Sequence, residues 1–217
     1  MTGPLGSDVP WAPSDGPPPA WPGEPADLAD LVGVVPLAER VWIPAAAEET
    51  FYRLNHLPPR LTALFAEVAS TDPDEDDVDE IAPRARALVA SHVLLDDWVD
   101  AFYEATRPLG ERLEVRRPGA AGHRASRGRP ALLALRTIWG EAWSDDAVTR
   151  RLRATGTVAL EARPIIVHAA GDGPAEPALA RRIAEALGGP REVRALPDGR
   201  VTRVALPATR PSPATSA

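Results

Sequence analysis

Proline decides where this chain can build regular structure. Eight of its 25 prolines fall in residues 1–25. Each fixes φ and removes a backbone donor, so the stretch reads as an extended or polyproline-II arm. Trp11 and Trp21 lie in that arm. Indole combines a large apolar area with one polar edge and is favoured as an interface anchor. Two readings follow: Trp11 and Trp21 hold a protein partner, or both rings pack back onto the chain's own domain. The tail 207–217, with three prolines among Ser, Thr and Ala, is predicted to be disordered.

Between the tails, proline, glycine and apolar periodicity mark out an α+β fold: a mainly helical N-terminal body over 26–154, then a small β-α-β-β unit over 155–206. Helices are expected over 26–35, 45–57 and 60–69. The longest is expected over 83–106, with Leu88, His92, Leu95, Val99 and Phe102 as its apolar stripe and Pro83 in its first turn. A long basic connection is expected at 107–129, then helices from Pro130 to Trp143 and from Ser144, as N-cap, to Ala154. Thereafter the period changes. Ile165-Ile166-Val167 reads as a buried strand, 178–187 as an amphipathic helix, and 191–206 as a hairpin about Pro197-Asp198-Gly199.

Composition removes whole chemistries. The chain has no cysteine, so it makes no disulfide, thiolate nucleophile or cysteine-held metal centre. All 24 basic residues are Arg, which excludes Schiff-base lysines and the lysine of phosphate-binding loops. The absence of Lys and Gln fits the codon bias of a GC-rich genome. No apolar run approaches the ~20 residues that span a bilayer. Residues 1–25 carry Asp8, Asp15 and Glu24 in place of the basic start and apolar centre of a signal peptide. A cytoplasmic location is expected.

The formal charge of −7 conceals a division. Residues 1–106 carry 20 acids against 5 Arg, residues 107–163 carry 12 Arg against 6 acids, and residues 164–217 carry 7 Arg against 5 acids. One reading makes Arg116, Arg117, Arg124, Arg127, Arg129, Arg150, Arg151 and Arg153 a surface for nucleic acid or another anion. The other folds the basic stretch against the acidic one, which neutralises both.

Asp96-Asp97-Trp98-Val99-Asp100 resembles the DDxxD signature of isoprenoid diphosphate synthases and terpene synthases. That resemblance implies Mg²⁺ held by Asp96, Asp97 and Asp100 against a diphosphate. Helical geometry turns the three carboxylates away from the apolar stripe, and no second metal motif follows. Arg127-Gly128-Arg129-Pro130 resembles the core of an AT-hook, whose arginines enter the minor groove. Residues 145–154 are also similar to the recognition helix of a winged helix, with the later strands as its wing. The acidic run 72–80 fails as a calcium loop, because Asp77 stands where Gly is needed and Pro83 where the bidentate Glu belongs. His56, His92, His123 and His168 lack metal-ligand spacing.

Each candidate active site thus lacks a requirement of its own chemistry, and no catalytic residue or resident cofactor is assigned. The sequence is read as an interaction protein that binds a protein partner through its Trp-bearing arm or its Arg-rich middle. The alternatives are a nucleic-acid-binding regulator and a magnesium-dependent diphosphate enzyme. The ionisable groups are expected to decorate the outside and not to converge inward.

Overall fold

Strands with inward-facing residues on both sides need cover on both sides, and the chain supplies it from two different layers. A computed structural model describes residues 12–13, 21–68, 70 and 72–207. In chain order the elements are β1 (Ala12–Pro13), α1 (Glu24–Asp30), β2 (Arg40–Ile43), α2 (Ala45–Leu54), α3 (Leu57–Leu64), α4 (Glu75–Ser91) and α5 (Asp96–Thr106). A 3-10 turn (Arg107–Leu109) leads to β3 (Arg112–Arg116), β4 (His123–Ser126), α6 (Arg129–Glu141), α7 (Asp145–Thr155) and β5 (Ile165–Ala169). The chain closes with β6 (Gly173–Pro174), α8 (Pro177–Ala186), β7 (Glu192–Ala195) and β8 (Val201–Ala205). The architecture is α+β with two antiparallel sheets, ordered β1-β2-β5-β3-β4 and β6-β7-β8. No described helix is long and apolar enough to cross a membrane.

The two-residue period of a strand builds the layers. Val41, Ile43, Leu113, Val115, Ile165 and Val167 face the main core, with Phe51, Phe65, Phe102, Trp139 and Trp143 from the helices. On the opposite face Trp42 and Ile166 join Leu28, Leu31, Ile183, Val193, Val201 and Val204 in a second, smaller core. That face also carries Arg40, Glu114 and His168, which are paired side by side across β2, β5 and β3.

Several expectations shift at this point. The helix expected over 83–106 is two helices. His92 takes extended backbone (φ −88°, ψ 154°) and ends α4. Its Nδ1 donates to the Leu88 carbonyl at 2.8 Å, which supplies an end-of-helix acceptor with a partner. The acidic run is not a loop but the start of α4: Asp74 caps it, accepting from the Asp76 N–H at 3.0 Å, with Glu75, Asp76 and Asp77 in the first turn. Pro83 consequently lies inside the helix. The buried stripe is Val78, Ala82, Ala85 and Val89, then Trp98, Phe102 and Ala105, while Leu95 is 54% exposed. Pro58 and Pro59 open α3 instead of ending α2.

The expected basic connection at 107–129 contains the β3–β4 hairpin, and β2 is a further strand in the helical region. The strand–helix–strand–strand order at the C-terminus is present, yet β5 pairs with β2 and β3 and not with the β7–β8 hairpin.

Candidate functional site

Most of the arginines singled out in the sequence are engaged by the chain's own carboxylates or carbonyls, although only Arg116 is buried. Arg116 is wholly buried and uses all five of its N–H groups. Nη1 and Nη2 clasp Glu24 at 2.6 and 2.7 Å, Nε donates to His168 Nε2 at 3.0 Å, and the carbonyls of Thr202 and Arg117 take the rest. Arg117 clasps the buried Glu48 at 3.1 and 3.0 Å. Arg124 reaches Glu114 and Asp172, and Arg127 reaches Glu111 and the Arg107 carbonyl. Arg153 meets Glu75 at 2.5 Å. Arg129 is exposed at the start of α6, where Gly128 (φ 84°) and Pro130 turn the chain into the helix.

The Glu24 cluster overturns the expectation that charges stay outside. Glu24, Arg40, Glu48, Glu114, Arg116, His168 and Asp172 are all buried. Glu24 opens α1, and its carboxylate also accepts from the N–H groups of Gly119 at 2.7 Å and Val204 at 3.2 Å. It therefore joins α1, β3, the hairpin loop and β8. His168 Nδ1 lies 2.9 Å from the Ala169 carbonyl, so it carries the proton and leaves Nε2 to accept from Arg116. Burial, and then the Arg116 cation, push its pKa down to about 4. Burial likewise lowers Arg40 to about 10, with Arg116 adding repulsion. Burial raises the Asp172 carboxyl, but hydrogen bonds from Thr202 and Arg194 outweigh it, and the net shift is downward.

A second group of perturbed side chains surrounds an open cavity of about 340 Å³ where α6 passes into α7. Arg117, Arg150, Arg151 and Arg163 line it, opposite Glu141, Asp146 and Glu161. Behind it, burial raises the pKa of Glu48 against the pull of Arg117, and burial also raises that of Tyr52. The Tyr52 hydroxyl donates to the Trp139 carbonyl at 2.9 Å and accepts from Trp143 Nε1 at 2.8 Å. Arg151 lies over the Trp143 ring, 4.7 Å from its centre. Its guanidinium donates to the carbonyls of Ala142, Ala147 and Ala159. Burial lowers its pKa. Ser144 is the N-cap of α7, as expected, but its hydroxyl makes no capping bond.

No protein-family model and no curated protein matches this chain.

The chemistry of the site therefore rests on its own residues. A neighbouring groove of about 680 Å³ runs between α4 and α7 and shares Asp146 and Arg150 with the first cavity. Glu75, Asp79, Asp145 and Arg153 complete its charged lining. Arg150 is exposed and makes no hydrogen bond or ion pair among the described residues. Of the three arginines on the helix likened to a recognition helix, Arg151 is engaged by carbonyls and Arg153 by a carboxylate, leaving Arg150 unengaged.

Asp96 and Asp97 occupy the first turn of α5 and Asp100 the next, all exposed. No three His, Asp or Glu side chains among the described residues are grouped to hold a metal ion. The donor set does not fit the Mg²⁺–diphosphate clamp. Trp21 packs edge-on against Trp42 with ring centres 5.8 Å apart. Trp11 lies outside the described residues. The Glu24–Arg116 pair had no local signature, because its members stand 92 positions apart.

Proposed function

We propose that this chain is a non-catalytic, cytoplasmic association protein that holds a protein partner along the outer face of α7. The observation that carries this reading is the mixed charge of the α4–α7 groove: Arg150 and Arg153 against Glu75, Asp79, Asp145 and Asp146. A polyanion meets net repulsion there, whereas a polypeptide can offer both signs. The pairing of Arg116, Arg117, Arg124 and Arg127 with the chain's own carboxylates supports the same choice, since it offsets four charges of the basic stretch within the molecule. Trp21, held by Trp42, shifts the docking surface from the arm to α7.

In-cell cross-linking of the full chain identifies the partner, and calorimetry with the purified partner then compares wild type with Arg150→Glu/Arg153→Glu. The expected result is a loss of affinity of about tenfold or more, with no saturable binding of duplex DNA at low salt. Unchanged partner affinity overturns the reading. Saturable DNA binding that weakens steeply with salt, and is lost in the same variant, replaces it with the nucleic-acid regulator.

A further inference from the structure

Asp146 and Arg150 stand four residues apart on α7, the spacing and order in which an acid and a base pair best on a helix. They do not pair. Neither has a hydrogen bond or ion pair among the described residues, yet both line the cavity where α6 meets α7. The remaining charges of that cavity are largely matched. Arg117 pairs with Glu48 and Arg163 with Glu161, and Glu141 lies 2.6 Å from the His123 imidazole. Arg151 donates its hydrogen bonds only to carbonyls, and Glu161 and Glu48 act on its charge without bonding to it. Arg150 and Asp146 thus face one polar space without a hydrogen-bonded or ion-paired partner among the described residues, with the Arg151 cation beside them and Glu161 near enough to feel both arginines.

We propose that this cavity is a binding site for a small zwitterion of the amino-acid class, with acidic amino acids bound tightest. Its carboxylate takes the fork of Arg150, with the Arg151 charge behind it, and its ammonium takes Asp146. The uncapped first turn of α7 and the idle Ser144 hydroxyl add donors on the same rim. A doubly charged phosphate fits poorly, because Asp146 repels it. A ligand of net charge −1 balances the formal +1 of the lining, four Arg against Glu141, Asp146 and Glu161. The volume lies at the lower end of ordinary small-molecule sites, which suits a ligand of this size. The site shares Asp146 and Arg150 with the proposed partner groove, so titration of the free chain with small ligands, in the absence of any partner, tests it separately.

The test is calorimetry and backbone-amide NMR on the full chain with L-glutamate, glycine, N-acetylglutamate, which lacks the ammonium, and inorganic phosphate. Glutamate is expected to bind saturably, to move the amides of residues 144–151, and to bind more tightly than glycine. N-acetylglutamate is expected to bind about tenfold more weakly or worse. Arg150→Ala and Asp146→Asn each weaken glutamate by about tenfold, while Arg200→Ala, on the β7–β8 turn, changes nothing. Because Arg150 and Asp146 are exposed, thermal melts of both variants are expected to match wild type. The proposal is overturned if neither amino acid binds at millimolar concentration. It is equally overturned if N-acetylglutamate or phosphate matches glutamate, or if Arg150→Ala leaves affinity intact.

Discussion

His168 makes the interior of this protein sensitive to acid. In the folded chain its proton leaves at about pH 4 instead of 6.5, because burial and then Arg116 oppose the imidazolium. Between those values the unfolded chain binds more protons than the folded one, so stability rises with pH through that window. It is fully present above pH 6.5 and is lost as pH falls toward 4, by roughly 3 kcal/mol if no other group intervenes. Urea unfolding across this range is expected to show that slope in wild type and a flatter one in His168→Gln. Identical profiles would contradict the assignment. Arg151 makes a different point. Its three carbonyl contacts and its stacking on Trp143 use the planar fork, which a lysine ammonium cannot reproduce. Arg151→Lys is expected to cost roughly 1–2 kcal/mol in the same assay, although the charge is kept.

At the level of elements, the legible parts were those with one apolar face and clear punctuation. The helices that begin at Ala45, Arg129 and Asp145, the strand at Ile165 and the hairpin about Asp198 all follow from pattern and turn chemistry. What stayed hidden was hidden for physical reasons. Arg40–Ile43 and Arg112–Arg116 are strands whose inward face carries Arg and Glu, so charge masks their period. The α4–α5 break depends on His92 bonding its own backbone, which apolar spacing does not encode. At the site, Ser144 and Arg150 were legible as cap and exposed base. Glu24 and Glu48 were not, because their partners come from distant strands and loops. The β3–β4 hairpin owes its close packing to Gly122, where an added Cβ would lie 2.6 Å from Glu114 Cγ and 2.8 Å from Arg116 Cβ. Gly122→Ala is expected to destabilise the fold by about 1–3 kcal/mol, with amide exchange accelerated first in the hairpin. Unaltered exchange there would show that the loop relaxes freely.

On the scale of the whole molecule, charge is an internal fastener before it is a surface property. Glu24 and Glu48 belong to the acidic half and Arg116 and Arg117 to the basic middle, and their pairing draws the two halves together around the main sheet. On α7, Asp146 and Arg150 stay outside that pairing. Unfolding free energies of Arg116→Met and Arg150→Glu, measured side by side in urea, test this most directly. The expected result is a loss of about 3–5 kcal/mol for Arg116→Met, which strands a buried Glu24, and a change within about 0.5 kcal/mol for Arg150→Glu. Equal, small effects for the two would contradict it.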